Sequence, residues 1–258
     1  MRSGFKIEIF FIVATLLFVL PGLAGASQAD NDPKVKAAFD RGWYLFGQMH
    51  KDIKNLDLAI AQYREVLALY PDNADAMWKM SETVFKKGQI LKDWKKGKPF
   101  FDQSLSWAEK AAAIAPQKPE PHYWIAVNMA VMAEINRTVK ALGMVKRCKR
   151  ELALVISLAP KNRFATLSKV VLASIYNDSP WPVRDLEKAL CNAREAVAED
   201  PNMTYASTML GKVYASLGKT DLAKKELSRC LSIARPTYVW DSIIYDWPDA
   251  KKVLASLK

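Results

Sequence analysis

Residues 43–71 read WYLFGQMHKDIKNLDLAIAQYREVLALYP, and this stretch decides the fold of the chain. Trp43, Phe46 and His50 are spaced three and four residues apart, so they share one face of a predicted first helix. Gly47 lies on the same helix and has no side chain, so a second helix can approach closely there. The stretch therefore begins with a helix whose patterned face packs against a partner helix.

The predicted second helix carries Ala59, which permits close packing, and Tyr63, which fills the space above that small residue. The helix ends at Pro71, because proline cannot continue the hydrogen-bond pattern of a helix. Together the two helices follow the tetratricopeptide pattern W-x₂-L-G-x₂-Y, A-x₃-F, P, with Phe, His and Tyr in place of Leu, Tyr and Phe. One match of this kind is moderately specific, and its repetition along the chain strengthens the prediction.

Helix endings at a proline recur along the chain. Their spacing is 45, 44, 41 and 35 residues, close to the repeat unit of about 34 residues. The fifth unit is a second clean match, with Leu210, Gly211 and Tyr214 in its first helix. We predict an all-α fold, a right-handed α–α superhelix of about five helix pairs plus a C-terminal capping helix, with first helices lining a concave inner face. The prolines are Pro71, Pro116, Pro160, Pro201 and Pro236.

Three features depart from the regular repeat. An insertion of about eleven residues, 89–99, precedes the second helix of the second unit, which is predicted over Asp102–Ala115. The third unit is expected to be interrupted near Gly143. Beyond the fifth unit, a last helix is predicted to start at Asp246 and to run through Leu257, where it covers the open end of the array.

The first 26 residues have the pattern of an export signal, with two basic residues, an apolar run and a small-residue cleavage site. We predict a signal peptide over residues 1–26, cleaved after Ala26 or alternatively after Ala29, and a single helical repeat domain over residues 27–258. An uncleaved membrane anchor is the alternative, disfavoured because a Pro-Gly pair interrupts the apolar run. The expected location is the periplasm, with no stable membrane span once the signal is removed.

The chain contains three cysteines, an odd number without a C-x₂-C pair, so metal and redox motifs are weakly supported. Cys148 and Cys230 fall on small-residue positions of second helices and are expected to be buried. In an oxidising compartment, a single disulfide between two of the three cysteines, Cys148, Cys191 and Cys230, remains an alternative.

The second half of the chain, residues 100–258, resembles the T component of TPR-protein-associated TRAP transporters. The resemblance implies a non-enzymatic periplasmic accessory that docks the solute-binding protein of a TRAP uptake system. It also implies that the protein can hold or pass a small, partly apolar ligand and can form a homo-oligomer. The residues that carry it are Trp107, Tyr123, Trp124, Asn128, Leu142, Gly143, Lys146, Tyr176, Pro180, Asp185, Leu186 and Ala189.

Repeat proteins of this type bind through fixed positions of each first helix, and these positions here mix aromatic and Met side chains with a few polar ones. Large apolar groups in an open concavity are unfavourable at about 25 cal/mol per Å² unless something covers them. We therefore predict a ligand or partner segment on this face, with burial by neighbouring helices as the alternative. The candidate residues are Tyr44, Gln48, Trp78, Phe85, His122, Met129, Met132 and Tyr205.

The chain has a formal net charge of +11, and part of this charge forms two basic clusters. We predict a basic docking patch for an acidic protein partner, since complementary charge raises association rates. A solvated helix face is the alternative, and an exported protein has little access to nucleic acid. The patch residues are Lys95, Lys96, Lys98, Lys146, Arg147 and Arg150.

Catalytic motifs such as H-E-x-x-H, G-x-S-x-G and the P-loop do not occur in the sequence. We therefore predict a binding protein rather than an enzyme, without catalytic residues, cofactor or metal. The alternative function is a periplasmic scaffold for envelope assembly that has no small-molecule ligand.

Overall fold

The computed structural model describes residue 29, residues 31–136 and residues 139–257. The predicted signal segment, residues 1–26, lies outside these residues. The described part consists of helices and their connections, and none of its helices has the length and apolar composition of a membrane span. The helices are α1 (Pro33–Gly47), α2 (Lys54–Leu69), α3 (Ala74–Gln89), α4 (Trp94–Ile114), α5 (Pro119–Asn136), α6 (Val139–Leu158), α7 (Arg163–Asp178), α8 (Leu186–Glu199), α9 (Thr204–Ser216), α10 (Thr220–Leu231), α11 (Val239–Asp241) and α12 (Trp247–Ser256), with a π-helical turn over Ser242–Asp246.

The helices from α1 to α10 pack as five consecutive helix pairs, and each pair contacts the next. In addition, α3 contacts α5, α5 contacts α7, and α7 contacts α9, so first helices of neighbouring units touch one another. This contact pattern makes the first helices the inner, more tightly curved layer of the array. It confirms the predicted all-α superhelix of five helix pairs.

The last helix, α12, packs against α9 and α10 and closes the end of the array, as predicted. Ala250 of α12 is fully buried in a cluster with Leu227 and Cys230 of α10. The indole nitrogen of Trp247 donates a hydrogen bond of 3.2 Å to the backbone carbonyl of Cys230. A terminal repeat needs such a cover because its apolar face has no further unit to pack against.

Two predicted helix boundaries are wrong. The insertion before the second unit's second helix is largely helical, because α4 begins at Trp94 and not at Asp102. The Asp93 carboxylate caps it by accepting from the backbone N–H groups of Lys95 and Lys96 at 3.0 and 3.1 Å. The third unit is not interrupted at Gly143, which lies inside α6.

The cysteines at small-residue positions are buried as predicted. Cys148 and Cys230 are completely inaccessible, and burial raises the pKa of their thiols to about 12 and about 11 respectively. Cys191 is exposed on α8, and all three are free thiols. The two buried cysteines therefore act as small apolar packing residues.

The close helix approach in the first unit occurs at Gly42, not at the predicted Gly47. A methyl group added at Gly42 would lie 2.5 Å from Cε1 of Tyr63, so this tyrosine of α2 packs directly on the α1 backbone. Gly47 faces Trp240 instead, which would lie 3.2 Å from an added methyl group. Tyr63 therefore contacts α1 five residues closer to the start of that helix than the repeat pattern predicted.

This contact predicts opposite effects for two Gly→Ala substitutions. Gly42→Ala should lower the free energy of unfolding by about 1–3 kcal/mol, since the methyl group overlaps the buried Tyr63 ring. Gly143→Ala should raise it by up to about 1 kcal/mol, because alanine favours the helix. Apart from the adjacent backbone of the same helix, no atom of the described residues lies within 4 Å of the added methyl group. Urea denaturation followed by circular dichroism measures both. Equal effects of the two substitutions would contradict the packing described.

Candidate functional site: the inner face and its rim

The inner layer of first helices holds a segment of the chain itself, residues 237–246. We name it the return segment, because it leads from the last helix pair back to the first. Its side chains contact α1, α3, α7 and α9, which are all first helices. The face on which the sequence predicted a ligand or partner segment therefore carries a polypeptide that belongs to the same chain.

Trp240 is the residue of the return segment that reaches the first unit. Its ring centroid lies 5.5 Å from that of Trp43 and 5.7 Å from that of Phe46, in both cases edge to face. The Tyr238 ring lies 5.7 Å from Trp240. Edge-to-face pairs are a favourable arrangement of aromatic rings. This aromatic cluster thus joins the two ends of the array.

Two cations of the inner layer hold the return segment. Lys86 of α3 forms an ion pair of 2.7 Å with Asp241, and its side chain is only 11% exposed. The same ammonium group lies 5.2 Å from the ring centroid of Tyr245. The Cζ atom of Arg163 on α7 lies 5.9 Å from the ring centroid of Tyr238. Because these groups are shielded from water, loss of one partner would leave a poorly solvated charge.

Asp246 anchors the end of the return segment to α9. Its carboxyl oxygen Oδ2 accepts a hydrogen bond of 2.7 Å from Thr204, whose hydroxyl also lies 2.7 Å from that of Ser242. The last helix begins directly after Asp246, as predicted, but the side chain of Asp246 bonds α9 and does not cap the backbone of α12. Burial, reinforced by the nearby charge of Asp241, raises the pKa of Asp246 to about 7.

Most of the inner-face residues predicted to meet a ligand are packed among helices. Trp78 lies edge to face with Phe164 at 5.8 Å, and Phe85 lies 5.4 Å from Trp124. The alternative of burial by neighbouring helices therefore describes these side chains, and a direct role in binding stays a prediction. Of the eight candidates, Trp78, Phe85, His122, Met129 and Met132 are buried, Gln48 and Tyr205 are half-buried, and Tyr44 is exposed.

His122 joins the two helices of the third unit. Its Nδ1 atom lies 2.7 Å from the Glu151 carboxylate on α6, and its Nε2 atom lies 2.9 Å from the backbone carbonyl of Pro116. The hydrogen bond to Glu151 raises the pKa of His122, although burial opposes this rise. Both ring nitrogens are thus engaged in structural contacts between helices.

An open cleft of about 450 Å³ lies beside the return segment, at the edge where α1, α3 and α7 begin. We name it the rim cleft. It combines aromatic and apolar side chains with three cations and two carboxylates, and its volume is within the range of small-molecule sites. Its lining residues are Val35, Lys36, Phe39, Asp40, Trp43, Asp75, Lys79 and Arg163.

The sequence did not identify Lys79 or Arg163 as site residues. Lys79 lies one position after Trp78, which was counted as an inner-face residue, and Arg163 is the first residue of α7. A signal was nevertheless present, because Lys79 follows Trp78 and Arg163 precedes Phe164, and a cation can stack on an aromatic ring. What the sequence lacks is the information that both cations meet Trp43.

The basic docking patch is divided between two helices. Lys95, Lys96 and Lys98 are exposed near the start of α4, whereas the other three residues lie on α6. Arg147 of α6 pairs with Glu109 of α4 at 2.7 Å, and Glu109 lies roughly 16 Å along the helix axis from Lys98. The structure therefore places two separate basic clusters on the outer layer. In the described residues, Lys95, Lys146 and Arg150 have no carboxylate within 4 Å.

Two family models match the sequence. The model named Tetratricopeptide repeat matches residues 205–237, which include α9 and α10. The model named Regulator of microtubule dynamics protein 1-3 matches residues 44–169, just under half of the chain. The crystal structure of TTC0263, a thermophilic TPR protein of Thermus thermophilus, aligns with a TM-score of 0.63 at 14% identity, covering 86% of this chain and 97% of that chain. The fold is that of the tetratricopeptide-repeat (TPR) superfamily.

Two further solved structures align with lower TM-scores. MamA is 17% identical with a TM-score of 0.46, covering 72% of this chain and 92% of its own. YrrB, described as a TPR protein with an unusual peptide-binding site, is 15% identical with a TM-score of 0.43, covering 83% of this chain and 92% of its own. No protein of curated function matches the chain significantly.

Proposed function

We propose that this TPR protein is a periplasmic accessory of a TRAP-type uptake system, which docks the solute-binding protein and binds a small, partly apolar ligand. The resemblance of residues 100–258 to the T component supports this assignment. The observation that carries the docking proposal is that the return segment and the exposed cations lie on different faces of the array. The return segment occupies part of the inner face, and on the outer layer Lys146 and Arg150 of α6 have no carboxylate within 4 Å among the described residues.

In this proposal the partner approaches the outer layer and not the inner face. An acidic patch on the solute-binding protein would be drawn to the exposed cations, which raises the rate of encounter more than the lifetime of the complex. The interaction should weaken with salt, since exposed charges are screened over about 8 Å at physiological ionic strength. A homo-oligomer that repeats this surface would offer several docking positions.

The docking proposal predicts that the substitution pair Lys146→Glu and Arg150→Glu weakens binding of the solute-binding protein about tenfold, mainly through a slower association rate. The partner is first recovered from native cells with the tagged full chain, and the purified pair is then measured by biolayer interferometry. The matched control is Lys219→Glu with Lys225→Glu, two exposed lysines of the fifth unit. Equal loss in the control, or binding that does not respond to salt, would contradict docking on α6.

A second candidate function follows from the family model matched over residues 44–169, whose name refers to regulation of microtubule dynamics. In that case the chain would be a scaffold that contacts microtubules through the same outer cations. Co-sedimentation of the purified chain with stabilised microtubules would support this candidate.

Amino-terminal sequencing of the native protein separates the uptake accessory from the microtubule scaffold, because a mature chain that starts after Ala26 was exported. Recovery of envelope-assembly proteins would instead favour the scaffold without a ligand.

A further inference from the structure

Two cations of the rim cleft lie against one indole ring. The Nζ atom of Lys79 is 5.0 Å from the centroid of Trp43, and the Cζ atom of Arg163 is 5.2 Å from the same centroid. Both positive charges therefore act on the same space beside Trp43. Such cation–π contacts stabilise a partly buried cation, but they do not neutralise it.

Lys79 is held by aromatic rings and not by a carboxylate. Its ammonium group also lies 4.3 Å from the ring centroid of Trp78 and 6.0 Å from that of Tyr63. Burial lowers the pKa of Lys79, the negative charge of Glu82 opposes this fall, and the positive charge of Arg163 adds to it. In the part of the chain that the structure describes, Lys79 forms no ion pair within 4 Å. The site thus holds a desolvated cation without a direct counter-ion.

Arg163 has unused hydrogen-bonding capacity toward the cleft. Its Cζ atom lies 4.5 Å from the ring centroid of Phe164 and 5.9 Å from that of Tyr238, and among the described residues no carboxylate lies within 4 Å of it. A guanidinium group has five N–H donors in a planar fork that matches a carboxylate. The remaining donors are therefore suited to an anionic group that enters the cleft.

The carboxylates near the cleft limit the charge of that anion. Asp75 is already engaged, since it pairs with Lys118 at 2.9 Å and accepts from the indole nitrogen of Trp78. Asp40 lies exposed at the cleft edge. Glu82 is buried near both cations, and burial raises its pKa although the surrounding positive charges oppose the rise. These groups favour a single added negative charge over two.

We propose that the rim cleft binds a monoanionic ligand with an aromatic or apolar body, its carboxylate held by Lys79 and Arg163 and its body against Phe39 and Trp43. This inference rests on the ligand-binding part of the proposed function and gives it a place and a chemistry. The ligand would relieve the repulsion between two cations that share one ring. It does not depend on the docking of a protein partner.

Isothermal titration calorimetry of the full chain with naphthoate tests the proposal. The neutral analogue naphthalenemethanol should bind at least about tenfold more weakly, and naphthylmethylamine more weakly still, because charge-assisted hydrogen bonds are the stronger kind. Naphthalenedicarboxylate should bind no better than naphthoate. Equal affinity for the acid and the alcohol, or no binding of naphthoate, would overturn the proposal. These comparisons use the unaltered protein, so a folding defect cannot obscure them.

Lys79→Gln and Arg163→Gln should each weaken naphthoate binding about tenfold, which is the loss of one charged hydrogen bond. The control is Lys110→Gln, because Lys110 lies 4.9 Å from the ring centroid of Trp107, well away from the cleft. Unchanged binding in both cleft variants, or an equal loss in the control, would overturn the assignment. If naphthoate does not bind, the proposal that a partner docks on α6 is not affected. If no partner is recovered, the result of the naphthoate titration is not affected.

Discussion

Replacement of Trp240 by alanine is expected to lower the free energy of unfolding by about 3 kcal/mol, toward the lower end of the range for large aromatic side chains. The indole packs on Trp43 and Phe46 of the first unit and fills the space above Gly47. Its removal would leave a cavity where the return segment meets α1. It would also remove the aromatic contact between the return segment and α1.

Urea denaturation followed by tryptophan fluorescence and circular dichroism measures this loss. The matched control is Trp181→Ala, since Trp181 is 87% exposed in the loop between α7 and α8 and its removal should change stability by about 0.5 kcal/mol or less. Hydrogen exchange of residues 237–246 should accelerate in the Trp240 variant and not in the control. If both variants lost the same stability, the aromatic cluster would not hold the return segment.

Substitution of Asp246 by asparagine is expected to remove a pH dependence of stability. The pKa of this buried carboxyl is raised from its ordinary value of 3.8 to about 7, so between these values the folded chain keeps a proton that the unfolded chain has lost. Stability must then fall as the pH rises through this interval. At about 1.4 kcal/mol per pH unit, the loss amounts to roughly 4 kcal/mol.

The asparagine variant should therefore be more stable than the parent chain above about pH 7 and similar to it near about pH 4, because the amide stays neutral throughout. Thermal melts at a series of pH values measure the difference. Asp72→Asn, at an exposed position in the turn before α3, is the control and should leave the pH profile unchanged. A parent profile that stays flat from acid to neutral pH would contradict the buried, proton-retaining carboxyl.

The paired helices could be predicted because their signals are local. Ala59 and Tyr63 lie four residues apart on one helix, and Pro71 follows at the position where that helix ends. The same local features repeat in each unit, so the number of pairs and the capping helix followed from the sequence. The start of α4 at Trp94 and the continuity of α6 through Gly143 were less predictable, since a proline near a helix start and a single glycine can be accommodated within a helix.

The return segment could not be predicted, because its contacts join residues far apart in the chain. Trp240 meets Trp43, and Asp241 meets Lys86 across 155 positions. The sequence showed only that this stretch is rich in aromatic residues and lacks the repeat pattern. Counting positions on first helices likewise located Trp78 and Phe85, but it did not show that neighbouring helices cover them.

The rim cleft could not be predicted either, because its charged residues are also far apart in the chain. Lys79 and Arg163 belong to different units, and in sequence each is an ordinary basic residue of an amphipathic helix. Their common contact with Trp43 depends on the curvature of the inner layer. A single-sequence pattern carries no information on that curvature, so the cleft emerged only from the assembled array.

An open solenoid can gain or lose units during evolution, since each unit needs only its neighbours. Here the contact between Trp240 and Trp43 spans the whole array. Duplication of one helix pair would move these two residues apart by the thickness of a unit, and deletion would make the segment between them too long. The contact between Trp240 and Trp43 is therefore compatible only with this number of helix pairs.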